Sequence, residues 1–277
     1  MNTASNTSNG GTWLDLLANG ANGADVHSWP AVRVRDASLA GAPARFIAVV
    51  PDADNRFPRA RTGEVGLVEG WQLAQAVHEV IDADRGATRK RPIVAVIDVT
   101  SQAYGRREEA FGIHQALAGA AGAYAQARLA GHPVIGLIVG LAMSGAFLAH
   151  GYQANRLIAF DDPGVMVHAM GKASAARITL RSVEALEALA QSVPPMAYDI
   201  HSYASLGLLW KVLQPTSAAA PSADDVALVT ATLEAALADI DNDSRKDLAT
   251  RFDGEHRAAS RRVRQLLREQ WKGAASA

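Results

Sequence analysis

The chain has 277 residues, enough for one large domain or two small ones, and is 49% hydrophobic, 20% charged and 6% aromatic. A net charge of −1 and a pI near 6.7 give no global pull toward nucleic acid or an anionic membrane. Absence of cysteine excludes disulfides, a thiolate nucleophile and a cysteine metal site, and fits a cytoplasmic protein.

The start, MNTASNTSNGGT, is polar and small, with neither a basic start nor an apolar run. It reads as a disordered tail over 1–12. The rest, 13–277, reads as a single unit whose last part, 214–277, is a helical extension. A short helix is expected over 14–17. Residues 32–35 alternate apolar and charged, 45–50 are β-rich, and Ala40-Gly-Ala-Pro43 between them is a turn, so a hairpin is expected. Residues 51–63, with Arg56, Arg59 and Arg61, read as a surface loop. Leu67, Trp71, Ala74, Val77 and Ile81 recur at helical spacing and predict a helix over 67–81 with those residues buried.

A repeated unit follows. Pro92 precedes Ile93-Val-Ala-Val-Ile97, a strand too apolar to be half-exposed. A loop of small and polar residues, 98–105, leads into a long Ala-rich helix over 107–129, broken by Gly131-His-Pro133. The second strand covers 134–139. A glycine-rich turn, Gly140-Leu-Ala-Met-Ser-Gly145, then opens a helix over 146–150. Two strands, each followed by a small-residue turn and a helix, make a βαβ pattern with parallel strands. A strand ending where a helix begins leaves backbone N–H groups free to receive an anion, as in an oxyanion hole.

Downstream, 156–160 and 165–168 read as short strands around Asp161-Asp-Pro-Gly164. Helices are expected over 182–191, ahead of Pro194-Pro195, and over 197–213, ahead of Pro215. Residues 218–221 are a linker. Ser222-Ala-Asp-Asp225 has the form of a capping box opening a helix to Ile240. A last, arginine-rich helix covers 244–271. The apolar stretch 133–149 falls short of the ~20 residues a membrane span needs.

The order of segments from Gly63 to Ile178 resembles the carboxyltransferase branch of the crotonase/ClpP superfamily. The residues carrying it are Glu69-Gly70, the strand ending in Asp98, Ala103-Tyr-Gly105 with Glu108-Glu109, Pro133, and Met143-Ser-Gly-Ala146. Within that branch, Val165–Gly171 and the surroundings of Pro194-Pro195-Met196 resemble the gamma subunits of biotin-independent malonate decarboxylase. The resemblance implies a crotonase-like α/β fold, a spiral of βαβ units with a helical C-terminal region. It implies decarboxylation of a malonyl thioester, carried on the prosthetic arm of an acyl-carrier protein, to an acetyl thioester and CO2. The site would be shared with a homologous beta subunit, on which the helical C-terminal region docks, and an acyl-carrier transferase subunit would complete the complex. The N–H groups of Gly145 and Ala146 would form this chain's oxyanion hole. Met143, Ser144, Gln102, Ala103, Tyr104 and His168 would line the substrate. The chain itself would bind no cofactor.

Alternatives follow from the same residues. One is a subunit of a biotin-dependent carboxyltransferase or decarboxylase, and another a scaffold whose partner does the chemistry. Ser144 and His168 also resemble the nucleophile and base segments of ClpP-type peptidases, with one residue missing between the Ser and Gly-Ala. The bland reading makes Ser144 an N-cap, at negative φ. His168 is a pocket donor for a carboxylate or a structural histidine. Asp98 reads as an acceptor that fixes the loop, and Glu108-Glu109 as a helix start favoured by its dipole. Arg56, Arg59 and Arg61 form a basic patch able to receive an acidic carrier protein or a pantetheine phosphate. No histidine pair has the spacing of a metal site, so no metal is expected.

Overall fold

Hydrophobic alternation and a left-handed pair, Ala40 (φ 50) and Gly41 (φ 73), build the expected hairpin of β1 (Val32–Leu39) and β2 (Ala42–Val49). Onto β2 the chain adds β3 (Ile93–Val99), β4 (Val134–Met143), β5 (Arg156–Phe160) and β7 (Lys211–Leu213), all parallel, with β6 (Met166–His168) branching from β4. The computed structural model describes residues 8–18, 24–243 and 247–274. β5 is buried throughout, and β3 and β4 have only one half-buried residue each. Their continuous apolar runs fit a sheet covered on both faces.

One face carries α2 (Leu67–Ala83), α4 (Ile113–Leu129) and the short α5 (Ser144–Ala149). The other carries α1 (Asn9–Leu17) and α9 (Ala223–Asn242). Trp13 of α1 is fully buried; its Nε1–H donates to the Ala218 carbonyl at 2.8 Å, and its ring meets Phe160 edge-on. The capping box at Ser222 forms as expected, with Ser222 Oγ accepting the Asp225 N–H and Asp225 accepting the Ser222 N–H.

β4 is long enough to carry two neighbours on one edge. Residues 135–138 pair with β5, and 141–143 pair with β6. On its other edge the register with β3 slips: Ile97 faces Ile138, but Val99 faces Ala142. Asp98 spans the slip. Its Oδ1 accepts the Leu141 N–H at 3.0 Å and its Oδ2 the Gly10 N–H at 3.3 Å. A Cβ at Gly140 would lie 2.1 Å from Asp98 Oδ1, so a side chain there would expel the carboxylate. Asp98 is therefore the fixing acceptor that its place at a strand end suggested.

The same contacts correct the expected tail. Residues 9–12 are helical, because Ser8 caps α1, Gly10 packs on Asp98, and Asn9 Nδ2 donates to the Val139 carbonyl. The remainder, residues 1–7, lies outside the described residues. Other elements differ in detail. The helix expected over 107–129 is two, α3 (Arg106–Ala110) and α4, parted where Gly112 takes φ 81. Trp71 is 54% exposed, because the buried face of α2 is centred on Leu73, Ala76, Val77 and Val80. α6 (Lys172–Ile178) has no counterpart in the sequence reading, and α7 (Val183–Ala190) matches the helix over 182–191. Residues 197–213 are not one helix. They form α8 (Ile200–Ser205), a turn at Gly207 (φ 74), and β7, whose backbone completes the sheet on β5. The last helix is shorter than expected, α10 (Ala258–Ala274), preceded by single 3-10 turns; residues 244–246 lie outside the described residues.

Candidate active site

β4 ends in an elbow. The turn expected over 140–145 is strand as far as Met143, because 141–143 pair with β6, and α5 begins at once at Ser144. The reversal is absorbed by Ser144 itself, which takes φ 57. A non-glycine residue in this region costs roughly 1–3 kcal/mol and persists where its surroundings fix it. Here the fixing contact is Ser144 Oγ–H donating to the Ala169 carbonyl at 2.6 Å. The expected N-cap role at negative φ is thus corrected: Met143 holds the cap position, and Ser144 points toward the segment after β6.

At an abrupt start the first N–H groups of a helix have no carbonyl four residues back. Gly145 N–H meets Gln102 Oε1 at 3.1 Å. Gln102 belongs to the loop after β3, held by its bridge to Val65 and by Ala103 N–H donating to the Val65 carbonyl. A Cβ at Gly145 would fall 2.2 Å from Gln102 Oε1, so the amide lies directly over the elbow. Ala146 follows, fully buried, in the same first turn.

Beside the elbow lies a cleft of about 540 Å³. Ser144, Gly145 and His168 form its polar end; Phe147, Tyr152, Met196, Tyr203 and Leu206 are among its apolar walls. His168 ends β6 in register with Met143. Its Nδ1 lies 3.0 Å from the Met170 carbonyl, and its ring stacks on Tyr198 at 3.8 Å. Burial holds His168 below the ordinary histidine range, so it is neutral at pH 7. The Ser144 hydroxyl is committed to Ala169 rather than to His168, so the pair forms no nucleophile–base dyad.

Behind the elbow, α5 ends on His150, which is fully buried. His150 Nε2 lies 3.0 Å from the Val96 carbonyl and Nδ1 3.0 Å from Tyr124 Oη. A donor at Nε2 leaves Nδ1 as the acceptor of the tyrosine proton. Burial lowers the His150 pKa to about 4, so it is neutral and anchors α5 to β3 and α4.

The expected site residues therefore separate. Ser144, Gly145, His168 and, through its hydrogen bond, Gln102 come together. Ala103 is buried against Phe57, Leu67, Ile113 and Ala116, and Met143 against Ala175, Ala176, Leu186 and Tyr198. Tyr104 is 60% exposed and does not line the cleft. Sequence reading missed Tyr152, Tyr203 and Leu206; the only hint was Pro194-Pro195, whose turn brings Met196 and Ala197 to the cleft rim. Arg56 and Arg107 flank the Phe57 ring at 4.9 and 5.1 Å, while Arg61 donates to the Asn55 carbonyl. Among the described residues no group of three His, Asp or Glu side chains is placed to hold a metal, and no helix is long and apolar enough to cross a membrane.

Residues 60–271 match the family described as Malonate decarboxylase gamma subunit. The chain belongs to this family. It is 65% identical, with a TM-score of 0.91, to a chain in the crystal structure of a Pseudomonas malonate decarboxylase hetero-tetramer in complex with coenzyme A, covering 96% of this chain and 100% of that one. Against the structure of the Pseudomonas MdcD–MdcE hetero-dimer the identity is 64% and the TM-score 0.87, with the same coverage. Transcarboxylase 12S, 19% identical with a TM-score of 0.60 over 82% of this chain and 41% of that one, shares the fold. The malonyl-S-ACP:biotin-protein carboxyltransferase of Malonomonas rubra is 38% identical over 157 residues, 56% of this chain. That match spans about half (54%) of the curated relative's length. The crotonase-like α/β fold and membership of the malonate decarboxylase gamma subunits are as the resemblance implied.

Proposed function

We propose that this gamma subunit decarboxylates a malonyl thioester through the N–H groups of Gly145 and Ala146, at a site shared with a homologous beta subunit. The observation that carries this reading is the contact of Gly145 N–H with an amide oxygen. It supports the reading because the Gly145 N–H donates to an oxygen beside an apolar cleft. Decarboxylation breaks the bond between the carboxyl carbon and the α-carbon. The electron pair moves into the thioester as an enolate, CO2 leaves, and a proton from water completes the acetyl group. The barrier is charge movement, which preorganised N–H dipoles serve. This subunit holds the carboxylate end and the partner holds the thioester oxygen. Gln102, Ser144 and His168 border the bound group.

The substrate is delivered on the prosthetic arm of an acyl-carrier protein, for which Arg56 and Arg59, exposed beside the loop, offer cations. An acyl-carrier transferase subunit supplies the malonyl group, no biotin is needed, and the complex works in the cytoplasm. Residues 13–277 act as one unit, with 214–277 as its helical extension.

The test is CO2 release from malonyl-loaded carrier protein by the purified chain plus its beta subunit, without biotin. Gly145→Pro deletes one donor. In an assembled complex it is expected to weaken binding and misorient the carboxyl group, lowering kcat/KM by about tenfold or more. Full activity in that variant overturns the backbone role, and a strict biotin requirement overturns the decarboxylase mode in favour of carboxyl transfer.

A further inference from the structure

Gln102 occupies one of the two N–H groups that the proposed mechanism needs free. Its oxygen lies 3.1 Å from Gly145 N, and a Cβ at 145 would fall 2.2 Å from that oxygen, so a side chain there would displace the amide. The backbone of Gln102 is pinned on both sides. Val65 bridges it, Val65 N–H donates to Ser101, and Tyr104 N–H donates to the Gln102 carbonyl at 2.7 Å. The side chain beyond is only half-buried and reaches the elbow through rotatable bonds. A pinned stem with a rotatable amide at a ligand position has two settings. With Oε1 inward it accepts the Gly145 N–H. With the side chain withdrawn from the elbow and its amide turned, Nε2–H points at whatever oxygen has replaced Oε1.

We propose that Gln102 is a plug that converts into a donor: its amide oxygen occupies the oxyanion position in the free subunit, and on substrate entry the amide turns so that its N–H joins Gly145 and Ala146 on the substrate carboxylate. This rests on the backbone-hole reading above. The two settings follow from the chemistry of a primary amide, which both accepts and donates. Gly145 N–H donates in either, so the ligand oxygen takes over from Oε1 without leaving a buried donor unpaired. Gln102 is a positioning and specificity residue by this account. It favours an anionic oxygen, which forms stronger charge-assisted bonds with several N–H donors, over a neutral carbonyl.

The decisive comparison is Gln102→Ala against Gln102→Glu in the assembled heterodimer. Glutamate keeps the size and the acceptor for Gly145 N–H, but it brings no N–H and sets a negative charge against the carboxylate. It is expected to raise KM for malonyl-carrier protein, and to weaken malonate binding measured by calorimetry, by about tenfold or more. Alanine loses the donor to the carboxylate, a group that gives up its charge in the reaction, so it is expected to raise KM by about three- to tenfold, less than glutamate does, with kcat little changed. A purely structural Gln102 gives the reverse order, with Glu close to wild type and Ala worse, and that order overturns the proposal. Should the Glu variant not assemble, the Ala variant decides alone, and an unchanged KM overturns it. Gly145→Pro separates the two levels. If it is inactive while Gln102→Glu behaves as wild type, the hole stands and the plug falls. If it is fully active, both fall.

Discussion

Ser144 carries strain and its remedy in one residue. Its φ of 57 is unfavourable for any side chain, and its hydroxyl bond to Ala169 offsets the cost. Ser144→Gly loses the bond, worth about 1 kcal/mol, but also the strain, so its Tm should stay close to wild type. Ser144→Ala keeps the strain and loses the bond, and should be destabilised by about 1 kcal/mol. Both should retain most of the decarboxylase activity, since the N–H of 145 is untouched. A loss of several orders of magnitude in a folded Ser144→Ala protein would restore the nucleophile reading. His150 makes a pH prediction. Its folded pKa is about 4 against 6.5 for an unburied histidine. Between those values the unfolded chain binds the extra proton, so stability is full above pH 6.5 and is lost as pH falls toward 4. The loss amounts to roughly 3 kcal/mol. His132 and His168, also depressed by burial, act in the same direction. Urea midpoints measured from pH 7 to 4.5 should therefore fall more steeply in wild type than in His150→Asn, and equal slopes would contradict the assignment.

Among the elements, those with long apolar runs were legible and those fixed by single contacts were not. β3, β4 and β5 announced themselves because a strand covered on both faces has no polar positions to interrupt it. The helix over 197–213 was misjudged because short apolar runs fit helix and strand equally. Only pairing with β5, a contact between distant segments, decides for β7. Trp71 sat at the right spacing but one turn-face away from Leu73 and Val77, which the sheet actually buries. At the site, the Gly-Ala pair could be read from the chain, whereas part of the apolar cleft wall, Met196, Tyr203 and Leu206, comes from residues fifty and more positions downstream. Asp98 tests this level. Replaced by alanine, it leaves Leu141 and Gly10 N–H without their acceptor, at about 1–3 kcal/mol each if neither finds another. Hydrogen exchange in Asp98→Ala should speed up at α1 and at the end of β4, with the β1–β2 hairpin unchanged. Uniform exchange across the sheet would show that Asp98 has no local role.

For the whole molecule, the body and the C-terminal helix differ in kind. α10 carries Val263, Leu267 and Trp271 along one stripe, all exposed, among several arginines. Arg264 stacks on Phe252 and Arg261 donates to carbonyls of 252 and 254, so its first turns are tied to the preceding segment. If this region docks on the beta subunit, Leu267→Glu with Trp271→Glu should weaken the heterodimer by tenfold or more. The isolated chain should keep its Tm, as surface changes do. An unweakened heterodimer would place the docking surface elsewhere.

The forked strand has one more consequence, for chain length. Ile138 is locked to β3 and β5, and Ser144 opens the elbow, leaving residues 139–143 as a spacer of fixed size. Removing one residue from it would draw the elbow back by about 3.3 Å and turn the following N–H groups to the opposite side of the sheet. Val139 and Ala142 are fully buried in the core, so such a deletion would also cost stability. Insertions and deletions compatible with activity should therefore gather in connections such as 216–221 and be missing from 139–143. A library of single-residue deletions scored for CO2 release would show this as activity retained in 216–221 and lost throughout 139–143.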